Sequence, residues 1–199
     1  MTTFLLIRHA LCDPVGRVIA GRAAGTHLND VGLMQVARLA DALGAEQIDA
    51  VYSSPLERAQ ATARPIAQRH GLEVELSPAL DEVDFGRWTG AGFAALEHDV
   101  QWRRFNTFRS GTRAPGGEHA LETQLRVVLE VDRLHARHDG GTVALVSHGD
   151  VIRLLLAYYL GMPLDFLQRL EVDPASVSVL ERTADQVRVV RVNVPVPRS

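Results

Sequence analysis

Apolar positions recur in two rhythms along this chain. Phe4–Ile7 is an unbroken apolar run, and Thr142–Val146 is a second, as expected of strands covered on both faces. Between them, Leu33, Val36, Ala37, Ala40 and Leu43 recur at helical spacing. Asn29 or Asp30 caps that predicted helix, and Gly44 stops it. Ile48–Tyr52 reads as a short strand. Ser54, as cap, and Pro55, at the first helical position, predict a second helix ending at Gly71. Leu72–Leu76 alternates like a third strand. Residues 86–117 hold Gly, Arg and aromatics with weak periodicity, and predict an insertion with one short helix, a cover rather than core. Helical spacing returns over Glu118–His138, is broken at Gly140-Gly141, and returns again over Asp150–Leu160. Val177–Leu180 and Val187–Val192 predict strands around a turn at Ala184-Asp185, with a frayed tail over Pro195–Ser199. Strands alternating with helices predict an α/β fold, with helices flanking a mostly parallel central sheet in three layers. The reading is one domain over residues 1–199, with the small 86–117 insertion lying over the site.

Composition then narrows the chemistry. The 199 residues include 21 basic ones, and every one is Arg. Without Lys there is no Schiff-base or pyridoxal-phosphate chemistry, no P-loop and no protein-kinase site. Any phosphate must be handled by Arg and His, and Arg suits the task because its planar fork meets an oxyanion bidentately. Against 24 acidic residues the formal net charge is −3, which argues against a nucleic-acid partner. Cys12 is the only cysteine, so neither an intramolecular disulfide nor a cysteine-based zinc site is available, and a reducing cytoplasm is expected. Arg8 ends the first apolar run too early for a signal peptide, and Leu154–Leu160 falls far short of the roughly 20 residues that span a bilayer, so no membrane association is expected.

In open sheets of this type, ligands bind beyond the carboxyl ends of the strands. Phe4–Ile7 runs into Arg8-His9, and Thr142–Val146 runs into Ser147-His148-Gly149. Ile48–Tyr52 leads through Ser53-Ser54-Pro55-Leu56-Glu57 to Arg58, in the first turn of a helix. Two Arg and two His thus converge on one sheet edge beside a helix N-terminus. That is an anion site, and phosphate is the expected anion.

Arg8-His9 after a strand, Ser53-Ser54-Pro55-Leu56 with Arg58-Ala59 and Thr62-Ala63, and Ser147-His148-Gly149 resemble the histidine phosphatase superfamily, the phosphoglycerate-mutase-like proteins. Leu80-Asp81-Glu82-Val83-Asp84-Phe85-Gly86 and Pro115-Gly116-Gly117-Glu118 extend the resemblance, in the family's order, from residue 4 to about residue 163. The resemblance implies a phosphomonoesterase that needs no metal or cofactor and acts on a small phosphorylated metabolite. It implies that His9 is the nucleophile and becomes phosphohistidine, and that Arg8, Arg58 and His148 hold the phosphoryl oxygens. It implies that Glu82 protonates the leaving oxygen, because the family's acid stands three residues before Phe-Gly. Asp81 and Asp84 are nearby rivals. Cys12, Gly149 and Arg22 complete the expected substrate-binding set, with Cys12 a small polar filler where the family often has Thr.

Departures bear on which activity follows. Ala10 stands where Gly is commonest, Leu11 where Glu is usual, Val15 where mutases carry an Asn, and Thr89 where Glu often precedes Gly90. With the short chain, these favour hydrolysis over a cofactor-dependent phosphoglycerate mutase. A non-catalytic phospho-ligand module is the remaining alternative, and the presence of His9 speaks against it. His70, His98, His135 and His138 read as solvated helix residues, whereas His119 is a candidate to face the site from the cover. Arg103, Arg104, Arg109 and Arg113 read as a solvated face or, within a specificity insertion, as a site for a substrate carboxylate or second phosphate. The Val177–Val192 region offers a sheet edge for a homodimer.

Overall fold

The computed structural model describes residues 1–195. The chain order is β1 (Thr2–Arg8), α1 (Asp30–Leu43), β2 (Ala50–Ser53), α2 (Glu57–Arg69), β3 (Val74–Leu76), α3 (Phe93–Leu96), α4 (Val100–Thr107), α5 (Ala120–Arg137), β4 (Thr142–Ser147), α6 (Gly149–Tyr159), β5 (Val177–Arg182) and β6 (Val187–Val194). Most of the tail expected to fray, residues 196–199, lies outside the described residues.

The strands form one six-stranded sheet in the order β3-β2-β4-β1-β5-β6. The four strands from β3 to β1 run parallel, and β5 and β6 add an antiparallel edge. The two continuous apolar runs are its central pair: Phe4 lies beside Val143 and Ile7 beside Val146. Because strand side chains alternate faces, β1 feeds two separate cores. Phe4 and Leu6 pack with Val127 and Leu134 of α5 and Ile152 of α6 on one face. Leu5 and Ile7 pack with Leu39 of α1 and Ile66 of α2 on the other. The layers are therefore helix, sheet, helix, and β1 and β4 end together at one edge.

The structure corrects two local expectations. Ser54 does not cap α2; the helix starts at Glu57 after an extended Leu56 that supplies no side-chain cap. The Ser54 hydroxyl instead donates to Asp81 Oδ1 at 2.6 Å and accepts from the Leu56 amide at 3.2 Å. A hydroxyl drawn into a buried side-chain chain is no longer free to close a helix end. The insertion, too, is more than a cover. It holds two short helices, α3 and α4, and a small core in which Trp88, Leu96, Phe105 and Ala114 pack against Leu154 and Ala157 of α6. Its large buried residues are mostly aromatic and unevenly spaced, so they pack without producing a period.

Candidate active site

The first functional segment leaves β1 as Arg8-His9-Ala10-Leu11 and is pinned from three sides. The His9 amide donates to the Ser147 carbonyl at 2.9 Å, tying it to the end of β4. The Ala10 amide donates to Thr62 Oγ1 of α2 at 3.0 Å, and the Leu11 amide to Gln35 Oε1 of α1 at 2.8 Å. The start of α1 comes so close that a Cβ on Gly32 would lie 2.0 Å from the Leu11 carbonyl oxygen, so only Gly fits there. Gly149 packs closely beneath Arg8: a Cβ would sit 3.2 Å from Arg8 Nε, so the Arg8 side chain would have to give slightly.

The hydrogen bonds fix both imidazoles. His9 Nδ1 lies 2.8 Å from the Ala10 carbonyl, which only accepts, so Nδ1 carries the proton. The lone pair is left on Nε2, which Arg58 Nε approaches at 3.3 Å. Arg58 NH2 donates to the Gly21 carbonyl at 2.7 Å and to His148 Nδ1 at 3.2 Å. Since guanidinium only donates, His148 Nδ1 is the acceptor, and its Nε2–H donates to Ser54 Oγ at 2.9 Å. One directed chain therefore runs from Arg58 through His148 and Ser54 to Asp81.

Electrostatics agree with these tautomers. Burial, followed by the Arg58 and Arg8 charges, holds His9 well below the usual imidazole range. Burial, then His9 and Arg58, does the same to His148. Both rings are neutral at neutral pH. Arg8 NH1 donates to the Val172 carbonyl at 2.6 Å, while Arg8 Nε and Arg58 NH1 are buried without a partner in the protein. Buried donors left open beside a neutral imidazole lone pair, with the first turn of α6 alongside, make a receptive anion pocket.

Arg8, His9, Arg58, Glu82, Cys12 and Gly149 line one cavity of about 240 Å³. His148 reaches it through Arg58. Glu82 Oε1 accepts from the Val83 amide at 2.9 Å, and burial, reinforced by the Asp150 charge, pushes its carboxyl up to about 7. The rival carboxylates are committed elsewhere, Asp81 to Ser54 and Asp84 to the Gly86 amide at 2.9 Å. Burial raises the Cys12 thiol, leaving it protonated on the cavity wall.

A model of the histidine phosphatase superfamily (branch 1) matches residues 4–195. The chain belongs to that superfamily. It is 38% identical over 193 residues to a bifunctional protein of Mycobacterium tuberculosis, covering 96% of this chain but 53% of that protein, so it spans about half the length of that curated relative. It is 31% identical over 202 residues to phosphoserine phosphatase 1 of Hydrogenobacter thermophilus, covering 98% of this chain and 93% of that one. Among solved structures, YhfR of Bacillus stearothermophilus superposes with a TM-score of 0.91 at 26% identity, covering 98% of both chains. A mycobacterial glucosyl-3-phosphoglycerate phosphatase gives 0.86 at 26% identity, covering 96% of this chain and 98% of that one.

Set against the superfamily pattern, some singled-out residues stand apart from the cavity. Arg22 is not among its lining; its Nε donates to the Glu82 carbonyl at 2.7 Å and its NH2 pairs with Glu118 at 2.9 Å, so it braces the Glu82 backbone. His119 caps α5, its Nδ1 accepting from the Leu121 amide at 3.1 Å. His135 and His138 are less solvated than expected, bonding to Thr2 Oγ1 at 2.8 Å and to the Tyr52 hydroxyl at 3.0 Å. The arginine group splits. Arg103 and Arg104 are exposed and Arg113 pairs with Glu122, but Arg109 is buried, lines the cavity and pairs with Asp150 at 2.8 Å.

The sequence reading missed Asp150, Arg153, Asn106 and Gln168, and the aromatic wall of Phe85, Phe93 and Trp102. The first two had a usable signal: they follow His148 within the first turns of α6, one helical turn apart. The aromatics had none, because their placement depends on how the insertion folds back. Among the described residues, no three His, Cys, Asp or Glu side chains are grouped to hold a metal ion, and no helix is long and apolar enough to cross a membrane.

Proposed function

We propose that this chain is a phosphomonoesterase acting on small phosphorylated metabolites through a phosphohistidine on His9. The observation that carries the reading is the His9 imidazole. It is neutral, buried and held by Ala10 so that its Nε2 lone pair sits among Arg8, Arg58 and His148 on the wall of a small cavity. Nε2 attacks phosphorus while the bond from phosphorus to the ester oxygen breaks. Glu82, raised far enough to hold a proton near neutrality, delivers it to that departing oxygen. The ionised carboxylate then takes a proton from water, which attacks phosphorus, breaks the P–N bond and returns free phosphate and His9. Arg8 and Arg58, whose buried Nε and NH1 are open, bind the equatorial oxygens, where in-line transfer concentrates charge, and His148 holds Arg58 in place rather than reaching the oxygens itself. The scheme draws on no metal or cofactor.

A cavity of about 240 Å³ suits a phosphate with a modest leaving group, being smaller than the roughly 300–1,000 Å³ of typical drug-sized pockets. Relatives named as phosphoserine phosphatase and glucosyl-3-phosphoglycerate phosphatase favour hydrolysis over return of the phosphoryl group to substrate. The test is a panel of phosphomonoesters with wild type and His9→Ala, alongside an alkaline denaturing quench that preserves labelled phosphohistidine. Wild type should turn over in chelator and trap label, and His9→Ala should do neither. Full activity in His9→Ala would overturn the reading. A chase of 3-phosphoglycerate into 2-phosphoglycerate would replace hydrolysis with mutase transfer.

A further inference from the structure

The Pro115-Gly116-Gly117-Glu118 segment that closes the insertion has no part in the phosphoryl transfer just described. It lies backbone to backbone against the residues that follow Glu82. The Glu118 amide donates to the Asp84 carbonyl at 2.8 Å, and the Arg87 amide to the Pro115 carbonyl at 2.9 Å. A Cβ on Gly117 would collide with the Asp84 carbonyl, and one on Gly86 with the Pro115 carbonyl, so both positions require Gly. The Glu118 carboxylate accepts from the Asp84 amide at 3.0 Å and contacts two guanidinium groups, Arg22 at 2.9 Å and Arg126 of α5 at 3.2 Å. Both arginines reach on to the loop that carries Glu82. Arg126 donates to the carbonyls of Ala79 and Asp81, each at 2.6 Å, and of Glu82 at 3.2 Å. Arg22 Nε donates to the same Glu82 carbonyl at 2.7 Å. The Leu80 carbonyl accepts from Ser147 Oγ at 2.7 Å. Every carbonyl from Ala79 to Glu82 is thus fixed from outside the loop.

We infer that Arg126, Arg22 and Glu118 form a splint that positions the general acid, setting the Glu82 backbone so that its carboxyl meets the leaving oxygen. The inference rests on Glu82 being the acid. Among the described residues, the Glu82 carboxyl accepts only from the amide of Val83, its neighbour in the chain. Where the acid sits in the cavity is therefore decided by the backbone beneath it. Two guanidinium groups converging on one carbonyl repel each other, and the Glu118 carboxylate that contacts both offsets that repulsion. All three are positioning residues, since none of them lines the cavity.

The discriminating measurement is kcat/KM for two esters, each taken as the ratio of variant to wild type. A simple alkyl phosphomonoester needs the acid, because its alkoxide leaves only with a proton, whereas 4-nitrophenyl phosphate releases a stable phenolate without one. Arg126→Gln should lower kcat/KM on the order of 10²-fold for the alkyl ester and by less than about threefold for the 4-nitrophenyl ester. Arg22→Gln should do the same on a smaller scale, about tenfold for the alkyl ester, because Arg126 still holds the Glu82 carbonyl. A merely structural lesion would lower both esters together. Glu82→Gln should show the same asymmetry more strongly. If Glu82→Gln is asymmetric while Arg126→Gln loses activity equally on both esters, or loses none, the inference falls and the acid assignment stands. If Glu82→Gln itself lacks the asymmetry, the acid assignment falls, and this inference with it. Should Arg126→Gln not fold, Arg22→Gln decides alone by the same criterion.

Discussion

The cavity has two halves built by different forces. Its floor, at the ends of β1 and β4, is specified by directional bonds: His9 is 4% exposed, His148 is fully buried, and each ring's tautomer follows from one acceptor or one donor. Its cover is specified by packing. Trp88, Trp102 and Phe105 meet edge-on or stacked at 5.2 to 6.0 Å, with Phe93 leaning on Trp102 at 6.1 Å while 39% exposed. Directional bonds tolerate almost no change in residue type, whereas packing tolerates most apolar swaps that conserve volume. On the proposed reading, chemistry belongs to the floor and choice of leaving group to the cover.

The sharpest way to break that division is Arg58→Gln. This side chain donates to His9, His148 and the Gly21 carbonyl at once and keeps one buried NH1 free. Its loss should lower kcat/KM on the order of 10³-fold for every phosphomonoester alike, since in the proposed mechanism it serves the phosphoryl group and not the leaving group. Steady-state kinetics on two unlike esters checks this, and a loss confined to one of them would mean that the floor also selects substrates.

Next in size is Gly32→Ala, a change distant in sequence from the site residues. Its methyl group would meet the Leu11 carbonyl, which also accepts from the Asn29 amide at 3.2 Å. Relief requires moving α1 or the loop after His9, so stability should fall by about 3 kcal/mol in denaturant titration. Unchanged stability would show the loop to be less rigidly pinned than its hydrogen bonds indicate.

The same division explains what the sequence disclosed. Both central strands were legible because burial on two faces demands unbroken apolar runs, and the site's core followed because each strand ends in its own His. Asn29 was legible as a cap because its side chain does accept from the Gly32 amide. Ser54 was misread as one because local chemistry cannot reveal that Asp81 and His148 both engage that hydroxyl. The cover was the least legible part. Arg109 looked like its exposed neighbours Arg103 and Arg104, and only the fold back onto α6 distinguishes it.

A pH titration of stability tests the boundary between floor and wall. Glu82 is raised to about 7 from 4.5, so the folded chain holds this proton more tightly than the unfolded chain. That contribution is complete below about pH 4.5 and is lost as pH rises through about 7. Glu82→Gln, which mimics the protonated acid, should therefore exceed wild type in stability by about 2 kcal/mol at pH 8, with the gap closing toward pH 4.5. His9 and His148 carry the opposite sign. Held below 6.5, they contribute stability that is present above that pH and lost beneath it. A gap independent of pH would place the Glu82 carboxyl in water.

The smallest effect belongs to Phe93→Ala. Phe93 touches the cavity from α3 but contributes little to the buried core, so folding stability should drop by less than about 1 kcal/mol. Its consequence should lie in discrimination. For an aryl phosphomonoester, if its ring packs on the aromatic wall, KM should rise about tenfold, the scale expected for one lost apolar contact. For a small alkyl ester, which does not reach that wall, KM and kcat should be nearly unchanged. The ratio of the two specificity constants is the measurement, because it cancels any general loss of folded enzyme. Equal loss on both esters would mean that Phe93 shapes the floor through Trp102, and the separation between a directional floor and a packed cover would fail at this point of contact.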